Sequence, residues 1–563
     1  MSTETEPKPV TKVEEIKIKS NFLRGTIAQG IDDTTTGSIA EDDTNLLKFH
    51  GMYQQDDRDL RIERKRQNLE KAFIFMIRVR VPGGIATPEQ WLTIDELSET
   101  TGNKTIKLST RQAFQLHGII KKDLRKTIQG MHAKLMDSIA ACGDVNRNVM
   151  CNPNPEQSEH HQELYELSKS ISEHLLPKSK AYYEIWLEQE KVVSTEEFDE
   201  PLYGKTYLPR KFKIGVAIPP SNDVDIFSQD LGYIAIVENN KIVGYNVTAG
   251  GGLGTSHGQA DTYPRLADVL GFVTPDQVLK VAEGVMTTQR DFGDRTSRKH
   301  ARLKYTIDDR GIEWFKNEVE TRMGFKFQPA KPFKFDRIAD RYGWNKGIDG
   351  KWSLTLFIQN GRVKDTPDYP MKTALREIAK IHDGDFRLTA SQNLIIGKIS
   401  DATRPKIEAI LQSYKMDKCW EQTGLRLNSL ACVALPTCGL SLAESERYLP
   451  DLIKDIEKTH DECGLNDDAI SIRMTGCPNG CARPYLAEIG LIGRAPGKYN
   501  LYLGAKYDGT RLNTLYKESL KHDDIVNELS GILRRYAKER NQGEGFGDFC
   551  IRAGYVKPFA RAT

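Results

Sequence analysis

The sequence predicts a duplicated α+β fold, a small module and a larger α/β module each present twice, packed about a pseudo-two-fold axis. Three observations carry this. A β-α-β-β pattern that begins near Phe73 recurs near Leu354. Ile106–Leu116 is echoed 280 residues later by Phe386–Ile396. Tyr245–Gly250 is echoed 254 residues later by Tyr499–Gly504. Two echoes in the same order are the mark of a repeated module pair, and the cleft between copies is a natural seat for a large ligand.

Residues 1–50 read as a poorly ordered arm, because Asp32–Ser38 and Glu41-Asp42-Asp43 are polar without an apolar period. The first small module, 70–135, opens on Ile77–Val81, whose alternation is that of a half-buried strand. Pro82-Gly83-Gly84 ends it. Thr87 then serves as N-cap, Pro88 takes N1, and Gln90 at N3 closes a capping box. That helix runs through Trp91, Ile94 and Leu97 to Gly102, and strands follow at Thr105–Leu108 and Ala113–Ile119. The first large module spans 150–330. The second small module, 345–410, repeats the unit with a strand at Leu354–Ile358, a turn at Asn360-Gly361 and a helix at Met371–Ile381. The second large module spans 420–563.

Composition narrows the function. Of 563 residues, 39% are hydrophobic and 28% charged, so a sizeable core can form under a solvated surface. The 80 basic and 78 acidic residues leave +2, which argues against nucleic acid or an anionic membrane as the main partner. No apolar run approaches the ~18 residues of a membrane span. Met1–Lys19 is charged and lacks the apolar centre of a secretory signal. The expected location is the cytoplasm.

Nine cysteines are too few for a disulfide scaffold. Cys432 and Cys438, then Cys477 and Cys481, form two close pairs, while Cys142, Cys151, Cys419, Cys463 and Cys550 are scattered. Four thiolates satisfy a [4Fe–4S] cluster. Structural zinc is the alternative, although its cysteine pairs usually space at about two to four residues. Cations form a second constellation. Arg78 and Arg80 sit two apart in an alternating strand, and Lys211 and Lys213 share a face opposite Phe212. Arg147 lies between two asparagines. Each alone reads as a solvated charge; together they could build a pocket for a small oxyanion.

Thr110-Arg111-Gln112-x-Phe114-Gln115-x-His117-Gly118, Asn146-Arg147-Asn148-Val149, Leu208–Lys213, Gly250-Gly251-Gly252-Leu253 and Thr475–Cys481 occur in that order. The series closely resembles the sirohaem- and [4Fe–4S]-containing sulfite/nitrite reductases, over nearly the whole chain. The resemblance implies two ferredoxin-like half-domains and two sirohaem/cluster domains. It implies Cys432, Cys438, Cys477 and Cys481 as cluster ligands, with Cys481 also bridging to the sirohaem iron, whose distal face takes the substrate. It implies Arg80, Arg147, Lys211 and Lys213 around the bound anion. Arg111, Gln115, His117 and Gly250, Gly251 and Gly252 would hold the macrocycle, with Arg290 and Arg295–Lys304 as further partners for its carboxylates. The activity implied is six-electron reduction of sulfite to sulfide. No Gly-x-Gly-x-x-Gly strand–turn–helix unit is evident, so electrons are expected from a partner; the resemblance implies a separate, NADPH-oxidising flavoprotein carrying FAD and FMN. A ferredoxin-dependent sulfite or nitrite reductase, or a non-catalytic cluster or sirohaem protein, are the competing readings.

Overall fold

The computed structural model describes residues 9–178, 185–187, 190–193, 200–259 and 261–560. Its two small modules are interlocked. One five-stranded sheet runs in the order Met52–Asp56, Phe73–Arg78, Phe114–Ile119, Ile106–Leu108, Arg362–Val363. The other runs Gly343–Lys346, Trp352–Leu356, Leu394–Ile399, Asp385–Leu388, Ile85–Ala86. Each sheet therefore takes its last strand from the other half, with Arg362 opposite Lys107 and Arg387 opposite Ile85. A single apolar core joins them, in which Trp91 stacks on Phe386 at 4.8 Å and meets Phe114 edge-on at 5.7 Å.

Local chemistry accounts for the helices. Pro88–Thr100 begins at the expected capping box: Thr87 Oγ1 accepts from Gln90 N at 3.1 Å, and Gln90 Oε1 accepts from Thr87 N at 3.0 Å. Its counterpart spans Met371–Ile381, as the apolar spacing predicts.

Each large module has an antiparallel hairpin with a parallel strand beside it. In the first, Leu231–Glu238 and Lys241–Ala249 form the hairpin, and Ile214–Ala217 runs parallel to Leu231–Glu238. In the second, Ile489–Ala495 pairs with Lys498–Leu503, and Ile472–Thr475 is parallel to Ile489–Ala495. The echoed segments are the second hairpin strands. Both leave the sheet through a glycine with left-handed backbone, Gly250 at φ +86° and Gly504 at φ +93°. A β-carbon on Gly250 would lie 2.5 Å from Arg265 Nη1, so the tight exit excludes a side chain.

The halves meet through equivalent residues. Gln112 Nε2 donates to Leu388 O at 3.0 Å, and Gln392 Nε2 donates to Leu108 O at 3.4 Å. Arg483 lies between all four modules. It donates to Thr110 O at 2.9 Å and to Ala390 O at 2.8 Å, carbonyls 280 residues apart at matching positions. Its Nε pairs with Asp225, which also accepts from Arg473 Nη1 at 2.7 Å.

The expectation of a loose arm at 1–50 is corrected over residues 9–50; residues 1–8 lie outside the described residues. Lys12–Lys19 and Glu41–Leu46 are helical, and Leu23, Leu46 and Phe49 are buried in the core of the first large module. Buried Lys17 pairs with Glu14 and donates to Leu208 O at 3.0 Å, while Glu14 also pairs with Arg295 at 2.5 Å. The polar runs misled because their apolar anchors are single residues spread over irregular turns, without a period.

Two outcomes follow. Arg483→Met leaves buried Asp225 with one partner fewer and should cost about 3–5 kcal/mol, seen as a lower thermal unfolding midpoint. Deleting residues 9–46 should lower that midpoint as well, because it strips buried apolar residues from a core.

Candidate functional site

Cys432 follows the short strand Ser429–Ala431, and Cys477 follows the neighbouring strand Ile472–Thr475, so parallel pairing brings the two thiols to one sheet edge. Between strand and Cys477 stands Gly476. A β-carbon there would lie 2.1 Å from Ser441 Oγ, and its carbonyl accepts from Leu442 N at 2.8 Å and Ala443 N at 3.0 Å. The missing side chain lets the loop bearing Cys438 close over the Cys477 loop. Gly476 N then approaches Cys432 Sγ at 3.4 Å, and Asn479 Nδ2 approaches Cys477 Sγ at 3.6 Å. Cys481 is exposed, unlike the other three, and its carbonyl accepts from Thr110 Oγ1 at 3.0 Å.

The sulfurs feel one another. Burial first, and then the neighbouring Cys481, pushes up the pKa values of Cys432, Cys438 and Cys477, the last to about 11. Among the described residues no three His, Cys, Asp or Glu converge tightly enough for a single metal ion.

Beside Cys481 lies a wall of cations. Phe212 is fully buried and bridges to Asn146, while Lys211 and Lys213 on either side, just before the strand Ile214–Ala217, keep partial access to solvent. Burial pushes both lysines well below the ordinary lysine value. Arg210, Arg147 and Arg302 add to the effect at Lys211, with Cys481 opposing it. Lys211, Arg111 and Arg302 add to it at Lys213, with Asp230 opposing. Arg147 is held by Gly143 O at 3.1 Å. Arg111 donates to Gln229 Oε1 at 2.9 Å and to Asn148 O, and its Nε has no partner; burial and then Arg147 lower its pKa to about 9.

Arg78, Gln115 and His117 form a chain at the cleft's edge. With its amide oxygen toward the guanidinium, Gln115 accepts from Arg78 Nη2 at 2.8 Å and donates to His117 Nε2 at 3.1 Å. Burial keeps His117 neutral, and its Nδ1 has no partner.

Arg80 is not brought to this cluster, which corrects its expected role. It pairs with Asp137 at 2.8 Å and donates to Ser172 Oγ at 3.1 Å. The strand ends at Arg78, and Arg80 bridges to Asp137 beyond it, so the alternation that would align the two arginines has lapsed. Arg78 stands in the cleft instead; the same Arg-x-Arg signal contained it.

The glycine loop is packed from behind. A β-carbon on Gly251 would lie 2.3 Å from Phe227 O, and one on Gly252 would lie 3.0 Å from Arg302 Nη2. Lys304 Nζ donates to Gly252 O at 3.1 Å and Gly254 O at 2.9 Å. Other candidates are engaged elsewhere: Arg290 with Asp291, Arg295 with Glu14, Arg298 with Asp144. Arg302 pairs with Asp230 at 2.9 Å behind the lysines. Arg210, beside Lys211, was not singled out by the sequence; its place in Pro209-Arg210-Lys211 was the available signal.

Among the described residues, no carboxylate lies within ion-pairing distance of Arg78, Arg111, Arg147, Arg210, Lys211 or Lys213. Four arginines and two lysines clustered without a paired carboxylate suit a polyanion, which would also restore the charge of the lysines. A macrocycle bearing many carboxylates, with a small oxyanion above it, meets that description. The orphaned Arg111 Nε and His117 Nδ1 supply further polar contacts. The residues present fit a sirohaem beside the four thiols.

Comparison with known proteins gives the family. Residues 67–134 and 345–414 match the nitrite/sulfite reductase ferredoxin-like half domain, and residues 166–327 match the nitrite and sulphite reductase 4Fe-4S domain. The chain is 58% identical over 549 residues to the "Sulfite reductase [NADPH] hemoprotein beta-component" of Oceanobacillus iheyensis, covering 98% of this chain and 95% of that one. It is 58% identical over 558 residues to the protein of the same description from Geobacillus kaustophilus, covering 99% and 97%. The solved structure of the Mycobacterium tuberculosis NirA protein shares the fold, with a TM-score of 0.77, 24% identity and 97% of each chain covered.

The two arginines separate cleanly in a test. Arg78→Met should weaken oxyanion binding to the cofactor-loaded protein about 10–100-fold, the loss of a charged hydrogen bond. Arg80→Met should leave that affinity unchanged. Sulfite titration of the visible spectrum measures both.

Proposed function

The chain belongs to the nitrite and sulfite reductase family, and from that premise we propose that it is the catalytic hemoprotein subunit of an assimilatory NADPH-dependent sulfite reductase. The observation that carries the reading is the exposed Cys481 beside Lys211, where a four-thiol site meets a cleft of uncompensated cations. Cys432, Cys438, Cys477 and Cys481 would hold the [4Fe–4S] cluster, and Cys481 would also bridge to sirohaem. Arg111, Gln115, His117 and the Gly250–Gly252 loop would hold the macrocycle. The bound cofactors supply the redox chemistry that takes sulfite to sulfide in six one-electron steps.

The chain's own residues bind, orient and protonate. Arg78, Arg147, Lys211 and Lys213 draw the oxyanion into the cleft and keep its oxygens aimed at donors. The lysines, whose protons are loosened by burial and by neighbouring cations, are matched to proton delivery. An arriving anion restores the ammonium form, and each sulfite oxygen that leaves as water takes two protons with it. The buried wall of Phe212, Val145 and Leu208 behind them keeps the cations from being screened.

A flavoprotein partner carrying FAD and FMN would supply the electrons from NADPH. The cytoplasm is the proposed location; no helix of the described residues is long and apolar enough to cross a membrane. The division into half-domains at 70–135 and 345–410 and large modules at 150–330 and 420–563 belongs to the same reading.

The decisive experiment is a visible spectrum with an iron and acid-labile sulfide count on the purified chain, which should show both groups. That chain should not oxidise NADPH alone, yet should form sulfide with a one-electron dye donor; NADPH oxidation without flavoprotein overturns the reading. Cys481→Ser should abolish turnover and the magnetic coupling between the two groups, whereas Cys463→Ser should keep both. Lys211→Met and Lys213→Met should each retain the spectrum and lower sulfite turnover about 10²–10³-fold.

A further inference from the structure

Outside the cleft, the cluster loop comes close to the surface at one basic, partly apolar strip. The segment Asp57–Arg66 lies across the loop that carries Cys438. Arg58 N donates to Pro436 O at 3.3 Å, and its guanidinium donates to Ser441 O at 2.7 Å and to Cys438 O at 3.3 Å. Arg447 ties the same segment down through Asp59 at 2.7 Å. On this seat the chain displays apolar side chains to solvent: Leu60 is 47% exposed, Ile62 68% and, two residues from Cys438 itself, Leu440 69%. The space around Gly439 is open. From Asp57 to Arg66 there are five basic and three acidic residues, in a chain whose net charge is only +2, and Arg61 pairs with Asp56 at 2.5 Å. Lys65 has no ion pair among the described residues, and Arg66 only a loose one, 3.7 Å from Glu63.

We propose that this strip is the docking face for the electron donor: an acidic, flavin-bearing domain of the partner subunit. The inference rests on the reading that electrons come from a flavoprotein. Exposed aliphatic residues rimmed by like-signed charge are the composition of a transient interface, and a positive face selects a negative one. Electron-transfer encounters are small and weak, so a few apolar contacts with electrostatic steering suffice. The position supplies the rest. A flavin edge held here faces the Cys438 loop, whose carbonyl Arg58 grips, while the substrate cleft at Cys481 stays open for sulfite. The other open depression beside the cluster loop, about 610 Å3, is lined by His257, Pro478, Tyr485, Arg494, Tyr502 and Glu518, and it carries no such basic strip.

The test uses the full cofactor-loaded chain with its flavoprotein. In one variant Arg64→Glu, Lys65→Glu and Arg66→Glu are combined; a second combines Ile62→Ser with Leu440→Ser; Arg494→Glu is the control at the other depression. Dye-driven sulfite reduction reports the fold and the site, and NADPH-driven reduction at increasing flavoprotein reports docking. Both strip variants should keep dye-driven turnover and need about tenfold or more flavoprotein for half-maximal rate. The charge variant should also lose most of the salt dependence. Parent-like flavoprotein dependence in both strip variants, or a shift only in Arg494→Glu, overturns the docking face and leaves the catalytic reading intact. Equal loss of dye-driven and NADPH-driven rates assigns the strip to folding and overturns it too. A parent that forms no sulfide with dye refutes the proposed function first, and the docking face with it.

Discussion

Arg483 sits where the four modules converge, in left-handed backbone conformation (φ +53°) and almost entirely out of solvent. Its guanidinium serves three masters: the carboxylate of Asp225 from the first large module, Thr110 O from the first small module and Ala390 O from the second. A buried guanidinium without partners is too costly to keep, so the fold closes only when all three acceptors arrive together. Burial alone would raise the Asp225 pKa, but Arg473 and Arg483 outweigh it and hold it below the usual carboxylate range. Cys481 is two residues away, and its carbonyl is held by the hydroxyl of the same Thr110. The contact that registers the halves thus also registers the last thiol against the cleft.

The same arrangement places the strongest electrostatic tension next to the strongest constraint. Arg111 lies among Arg147, Arg483 and Arg78, each of which lowers its pKa further after burial has done so. Such a group of like charges opposes folding until an anion neutralises it, and whatever binds only the folded chain stabilises it by mass action. A rigid glycine loop and an interlocked pair of sheets hold the cations apart in the meantime. Cofactor loading and substrate affinity are therefore both consequences of one frustrated patch that the surrounding core over-determines.

Regular elements were readable because their signals are local. The Thr87–Gln90 capping box, the Met371–Ile381 helix and the two echoes depend on residues a few positions apart, and each is where its pattern says. The cysteine pairs were legible for the same reason. The arm at 9–50 was not, since Phe49 becomes core only against Tyr207 and Ala140, far along the chain, and Leu23 joins the same core. Strand alternation likewise could not show that pairing stops at Arg78, because the stop is set by where Asp137 captures Arg80.

The residue order by itself determined that a module pair is repeated, that four thiols stand in two close pairs, and that lysines at 211 and 213 flank an apolar residue. These follow from spacing along a chain whose local geometry has fixed periods. Only the tertiary structure decided which arginine enters the cleft and that each small module completes the other's sheet. Those outcomes depend on which charges find a carboxylate and which do not, and that is settled by contacts between residues hundreds of positions apart, where no sequence period reaches.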